Sequence, residues 1–397
     1  MKKKVITDMM LNIIAAALPV AMLQLVIYPK VAVAAGGDEY GLMLTVYSIW
    51  IMTSNAPGNV LNNVKLLKFP QYQAMETEGD IPILLRRWIV LSSSIVFLAT
   101  WLYVGEFSVH HLFLGVLVAC ALMLKAYLEV GFRIKLNYKA ILMNNALLSL
   151  GFFAGYYLFL KTSYWELIFL TGYAMSCTFC AIKTGLLKEA AVKTTLFPTV
   201  RSDAYSLLVA AVIGNLINYA DKLVLYPLMG GTAVSIYYTA TILGKITGML
   251  TGPINSVILS YITRWDNAKA SIFSKVLATG FAVICFGYVL TLVFARPVIG
   301  FLFPQWVDEV IKIIPITTVT VMLTVLTSIL QPFVMKFCNL HWQIVISGVG
   351  SVAYFTCALI LWKVFGLVGF CIGTVVGATV KLILMIVIYR KRAGAKS

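Results

Sequence analysis

The sequence predicts an all-α polytopic membrane protein, with about twelve transmembrane helices in two pseudo-symmetric six-helix bundles. Three observations predict it. Of 397 residues, 61% are hydrophobic and 12% charged, with mean hydropathy +0.92, whereas a soluble domain carries about 25% charged residues. Apolar runs of about 20 residues, the length that crosses a bilayer, recur along the whole chain. The chain also repeats itself: Leu25-Val26-Ile27-Tyr28-Pro29 returns as Leu223-Val224-Leu225-Tyr226-Pro227, and Pro57-Gly58-Asn59 as Pro253-Ile254-Asn255. Both separations are close to half the chain, the mark of two parallel repeats, an arrangement typical of transporters. The runs are read as helices, because barrel strands would alternate over about ten residues.

The first run follows Lys2-Lys3-Lys4 and precedes Ala32-Val33-Ala34, imitating a secretory leader. It is longer than the apolar core of a leader, about 7–15 residues. It also ends in the motif that recurs in mid-chain, so it is a retained first span, 9–29. The second, 40–61, carries Asn55, Pro57 and Asn59. Spans 87–105 and 110–130 follow, then 140–160 and 164–186. The sixth holds Cys177-Thr178-Phe179-Cys180, which has neither a second Cys pair nor a nearby His and is read as packing cysteines among the seven in the chain. The two longest loops are 62–86 and the polar stretch 187–203. The latter contains Pro198 and links the bundles, 1–195 and 196–397. Spans 204–227 and 233–261 carry the repeat marks of the second half; 271–294, 313–335, 343–362 and 366–389 complete it. Residues 297–312, with Pro297, Phe301, Phe303, Trp306, Asp308 and Glu309, read as an interfacial segment.

A net charge of +16 in a soluble protein would point to nucleic acid. Here the basic residues fall mostly in short loops, and no nucleic-acid partner is expected. With the N-terminus in the cytoplasm, 22 of the 31 Lys and Arg lie on the cytoplasmic side and 5 opposite. That asymmetry places both termini inside, in a bacterial inner membrane.

The remaining four basic residues, Lys125, Lys222, Lys245 and Lys381, lie within spans. Placing Lys at the bilayer centre costs about 2.5–3.5 kcal/mol on insertion scales, so such residues face a wet cavity, a counter-ion or a substrate. Lys245, at the middle of the eighth span, lines a cavity or pairs with a carboxylate such as Asp221. Lys381 lines a cavity or snorkels to the cytoplasmic face. Asp221 is a candidate for binding a coupling proton or sodium. Asp221 and Lys222 are adjacent, and i,i+1 neighbours do not face each other on a helix, so they are not read as a self-neutralised pair. Lys125, Glu129 and Arg133 are spaced as a local ion-pair ladder. Asn59, Asn255, Asn215 and Asn218 turn inward, to hold helices together or to bind sugar hydroxyls. Pro57 and Pro253 interrupt helical hydrogen bonds and serve as hinges or packing kinks. His110-His111 is read as a surface pair. No catalytic, metal or cofactor motif is found; the chain is read as a non-enzyme without cofactors.

Tyr219-Ala220-Asp221-Lys222-Leu223-Val224-Leu225-Tyr226-Pro227, then Gly230-Gly231 and Ile236-Tyr237-Tyr238-Thr239-Ala240, resembles the start of the second half of polysaccharide (O-antigen) flippases. These belong to the multidrug/oligosaccharidyl-lipid/polysaccharide exporter superfamily. Tyr28-Pro29 with Gly36-Gly37-Asp38-Glu39-Tyr40-Gly41 is the counterpart in the first half. The resemblance covers essentially the whole chain. It implies movement of a lipid-linked oligosaccharide, such as an O-antigen unit on a polyprenyl diphosphate, from the cytoplasmic to the periplasmic leaflet. Membrane lipids and polysaccharide-assembly proteins are the further partners it implies. It also implies a cationic central cavity, matched by Lys245, Lys381 and Lys222. Lipid-II-type flippases of the superfamily have spans beyond twelve, which this chain does not show. A multidrug exporter of the same architecture would want acidic residues for cationic drugs, whereas the spans here hold four basic residues against Glu129 and Asp221. A polysaccharide polymerase or ligase would want a sizeable periplasmic loop.

Overall fold

Proline and glycine set the course of the first helices. The computed structural model describes residues 2–76, 78–104, 108–249, 270–338 and 340–394. Helix α1 (2–35) opens into a π-helical turn over Met22–Ile27, immediately before Tyr28-Pro29. Helix α2 (37–75) does the same over Ile51–Asn55, immediately before Ala56-Pro57. A proline ring clashes with the carbonyl four residues back and offers no N–H to it; the extra residue of a π turn accommodates both. The expected hinge position Pro57 is thus a widened point of α2, with the Pro57 side chain buried.

After α2 come α3 (Asp80–Val104), α4 (Val109–Leu128), α5 (Tyr138–Thr162) and α6 (Glu166–Thr184). A 53-residue helical run, Phe197–Met249, is broken at Gly230 into α7 (197–229) and α8 (231–249). Then follow α9 (Ala270–Leu302) and α10 (Val307–Phe337). A 55-residue run, Leu340–Gly394, is broken at Gly366 into α11 (340–365) and α12 (367–394). Among the described residues there is no strand, and eight helices are long and apolar enough to cross a membrane, nine if the bent pair between Phe197 and Gly244 is counted as one span. One of the eight, Trp342–Lys391, is 50 residues long. At 1.5 Å per residue that is about two and a half times a hydrocarbon core. The break at Gly366 makes it two passes.

Two loop expectations are corrected. The stretch 62–86 is not an extended loop: α2 runs to Met75 and α3 starts at Asp80. Residues 297–312 are not a separate interfacial piece: α9 continues through Pro297 to Leu302, and one 3-10 turn, Pro304–Trp306, leads into α10. Phe303 and Trp306 stack at 6.2 Å and fill that turn. Within 187–203, α7 begins at Phe197, so Pro198 lies in its first turn, where a missing N–H costs nothing.

By contacts the chain forms two compact units, Met1–Val234 and Ser235–Ser397. In the first, α4 packs on α2, α3 and α6, and α5 packs on α1 and α6. Its core at one end gathers Leu61, Tyr72, Trp88, Met123, Tyr127, Phe132 and Phe197. At the other end Trp50 stacks on Trp165 at 5.5 Å, and Tyr47 on Phe169 at 4.3 Å. Helices α5 and α6 approach closely: a Cβ on Gly151 would stand 2.6 Å from the Gly172 Cα. Small residues permit this where lipid gives no hydrophobic drive for association. In the second unit α10 packs on α9 and on α11–α12, around Phe273, Phe333 and Tyr389, with Phe273 and Tyr389 stacked at 4.0 Å. Leu98, Leu102, Phe113, Phe286, Phe294 and Val352 are exposed, an outside suited to lipid.

The cysteine expectation holds. Cys177 donates to the Ala121 carbonyl at 3.0 Å, and Cys180 is buried in the core.

Candidate functional site

Gly36 and Gly230 turn the chain identically at the starts of α2 and α8. Their backbone angles are φ 81°, ψ 175° and φ 79°, ψ 179°. This region of conformational space is open essentially to glycine alone. Two residues on from each, Asp38 and Thr232 meet. Asp38 Oδ1 accepts from the Thr232 amide at 2.9 Å and from its hydroxyl at 2.8 Å. The carboxylate therefore caps the first turn of α8 from another helix, satisfying an orphan N–H and opposing the positive end of the dipole. The backbones are in contact here: a Cβ on Gly231 would lie 2.1 Å from the Asp38 carbonyl oxygen, and one on Gly41 1.9 Å from that of Gly231.

About two turns before this contact, α7 carries the charged pair flagged in the sequence. Lys222 is 4% exposed, and its Nζ donates to Asp221 Oδ1 at 3.0 Å. The same oxygen accepts the Lys222 amide at 2.9 Å. The expectation that adjacent residues would not neutralise each other is overturned. The rule concerns the directions of Cβ atoms, whereas four flexible carbons let the Lys222 ammonium fold back, over the Tyr219 ring at 5.2 Å. Tyr103 of α3 donates to the Leu223 carbonyl at 2.9 Å and ties α7 in place. Asn215 donates to Ala211 of its own helix at 2.7 Å, and Asn218 is exposed.

Lys125 pairs with Glu129 at 3.2 Å, as the spacing implied. The ladder stops there: Arg133 turns to Asn62 Oδ1 at 2.7 Å and Asn63 Oδ1 at 3.0 Å, because the helix breaks between Leu128 and Val130. Asn59, three residues before Asn62, is exposed.

Lys381 lies partly buried on α12 and, among the described residues, has no ion-pair partner. Its backbone packs on α11: a Cβ on Gly350 would lie 3.1 Å from Lys381 Cβ, and one on Gly377 would lie 2.4 Å from Tyr354 Cβ. The Lys245 side chain and the whole of Pro253 and Asn255 lie outside the described residues.

Two polar clusters were not foreseen. At the ends of α2, α4 and α6, His111 Nδ1 contacts Glu166 Oε1, and the Trp165 indole donates to Glu39 Oε1 at 2.7 Å. His111 is therefore only partly exposed and is engaged by Glu166, whereas His110 is exposed. At the opposite end of the first unit, buried Lys65 contacts Glu78 at 3.0 Å and also Glu189. Asp80 accepts from Tyr72 at 3.0 Å and from Thr194 at 2.5 and 2.8 Å. Burial pushes the Glu189 carboxyl up; Lys65 pulls it back and neighbouring Glu78 adds to the rise. Burial acts the same way on Glu78, but hydrogen bonds from Glu189 and Lys65 hold it below its ordinary value.

No protein-family model matches the chain, and no curated protein matches it. Solved structures do. An inward-facing multidrug resistance MATE family transporter of the MOP superfamily matches with TM-score 0.70 at 14% identity, over 97% of this chain and 98% of that one. An outward-facing MATE transporter of that superfamily matches with TM-score 0.63 at 13% identity, over 97% and 94%. The lipid II flippase MurJ, in an inward closed conformation, matches with TM-score 0.61 at 13% identity, over 91% and 89%. The chain has the all-helical, multi-span membrane fold shared by these MATE and MurJ structures.

Proposed function

We propose that the chain is a flippase that moves a polyprenyl-diphosphate-linked oligosaccharide, an O-antigen-type repeat unit, from the cytoplasmic to the periplasmic leaflet of a bacterial inner membrane. The two six-helix repeats, 1–195 and 196–397, alternate access to a cationic cavity. The observation that carries this reading is Lys381. Two of the four span lysines, Lys125 and Lys222, are matched by neighbouring carboxylates. Lys381 is matched by none among the described residues, and a lone ammonium at that depth calls for an anion. Lys245 is the second proposed contact to the diphosphate, with Lys222 a reserve cation if Asp221 takes up a coupling ion. Asn59, Asn215, Asn218 and Asn255 are the proposed sugar contacts, and Pro57 and Pro253 the proposed hinges. In the second unit an open cavity of about 330 Å³ is lined by Tyr288, Pro315, Ile316, Val319, Ile372 and Val375. Its apolar lining suits a prenyl chain better than a sugar.

A second reading, a multidrug exporter, has its own support: the likeness to MATE transporters and the carboxylates of buried Glu166 and half-buried Glu39, which a cation would favour.

Binding separates the two. Native mass spectrometry on purified protein with polyprenyl diphosphate is expected to show a bound lipid that is lost in Lys381→Ala and retained in Lys381→Arg. Equal retention of polyprenyl diphosphate and an uncharged prenol, unaffected by Lys381→Ala, would remove the warrant for an anionic cargo.

A further inference from the structure

We propose that His111 and Glu166, with Glu39 beside them, form a proton-binding site in the first repeat, at the end where α2, α4 and α6 begin. This rests on the transporter reading but not on which cargo is carried.

The geometry is that of a built site. Glu166 is 0% exposed, and its Oε1 contacts His111 Nδ1. Its Oε2 is buried with no hydrogen-bond partner. A buried carboxylate oxygen left unpaired is costly as an anion and is relieved by a proton. A second carboxylate, Glu39, is fixed close by through the fully buried Trp165, whose ring lies 6.2 Å from the His111 ring and nearly parallel to it. His111 keeps one-fifth of its side chain exposed, whereas Glu166 has none. Water therefore reaches Glu166 through the imidazole. A proton taken up at His111 can pass from Nδ1 to Oε1, and the pair returns it to water by the same edge. One proton enters and one leaves, and nothing else changes.

Among the described residues, the charged and titratable groups around the pair are few. Helix α2 presents Glu39 and, next to it, Asp38; α6 presents Glu166; α4 adds His110; Tyr164, before α6, packs its ring 5.8 Å from His111. Tyr103 of α3 is spent on the Leu223 carbonyl, and Lys30 of α1 stands 5.7 Å over the Tyr156 ring of α5. An imidazole nitrogen set directly against a carboxylate oxygen is an arrangement that holds a proton between them. The position gives the site a use. Glu39 is bonded to the cluster, and its neighbour Asp38 holds the first turn of α8 through Thr232. A proton that changes the charge beside Glu39 acts next to Asp38, which holds the first turn of α8.

The test uses the full-length protein in micelles, without cargo, labelled with ¹⁵N-histidine; the chain has three His. His111 is assigned by loss of its signal in His111→Gln. Its ring signals are expected to titrate in a coupled manner, with the curve displaced by about one pH unit or more in Glu166→Gln. The His110 signal reports that the isosteric variant is folded; should it not be, Glu39→Gln is read the same way. A His111 curve that matches exposed His110 and ignores both variants overturns the proposal. In proteoliposomes, dependence of transport on an imposed pH gradient should be lost in Glu166→Gln; gradient dependence retained there also overturns it. Because the titration needs no cargo, it stands even if the transport reading fails.

Discussion

Asp38 and Thr232, 194 residues apart, occupy the same place in the first turns of α2 and α8 and bond to each other. Each follows a glycine of φ near 80° by two positions. The contact joins the first turns of α2 and α8 within the first compact unit, so this is where those two helices grip one another.

Gly231→Ala is expected to break that grip, because its Cβ would overlap the Asp38 carbonyl at 2.1 Å, a backbone atom that cannot step aside. Gly230→Ala acts differently, through backbone strain of about 1–3 kcal/mol. Thermal unfolding in detergent should show both below wild type. Thr232→Val removes only the hydroxyl bond and should cost no more than about 1 kcal/mol. A Gly231→Ala protein as stable as wild type would mean that the close approach is not present in solution.

Lys65→Met should destabilise the first unit by about 1–3 kcal/mol, since it takes the cation from partly buried Glu189 and exposed Glu78. Glu189→Gln separates this from simple packing. The Glu189 carboxyl is held above its ordinary 4.5 in the folded protein. Its contribution is therefore fully present below about pH 4.5 and is lost as pH rises through the raised value. Glu78 is lowered and acts with the opposite sign: its contribution is present above 4.5 and lost as pH falls. Relative to wild type, Glu189→Gln should gain stability as pH rises above about 4.5. Melting curves of the two proteins across that range check this; a constant difference at every pH contradicts it.

Gly377→Leu should separate α11 from α12, because a Cβ alone would come within 2.4 Å of Tyr354 Cβ. A loss of about 1–3 kcal/mol is expected for overpacking. Limited proteolysis between the two helices, near Gly366, should become faster than in wild type.

Much of the fold was legible because lipid imposes simple rules. Span length and apolar continuity placed the helices, and the gaps left between spans 9–29 and 40–61 and between 204–227 and 233–261 contain the turns at Gly36 and Gly230. Loop boundaries were less legible. Residues 62–75 are polar enough to read as loop, yet they continue α2 because buried Lys65 and Tyr72 find polar partners. The site was least legible where side chains meet across sequence. His111 and Glu166 are 55 residues apart, and Glu39 and Trp165 are 126 apart. A signal existed: each acidic residue lies in the first turn of a helix at the same end of the bundle. Helix-dipole capping explains that pattern equally well until the partners are seen. Asp221 and Lys222 were misjudged for the opposite reason, since Cβ directions do not bind a side chain as long as lysine.

The most direct measurement is made in one preparation of proteoliposomes. A polyprenyl-diphosphate oligosaccharide is placed in one leaflet and its arrival in the other is followed, while uptake of a cationic dye is recorded in parallel. Protein-dependent translocation of the lipid-linked sugar, reduced in Lys381→Ala and absent from empty vesicles, is the predicted result. Dye uptake with no movement of the lipid would contradict it and assign the chain to drug export.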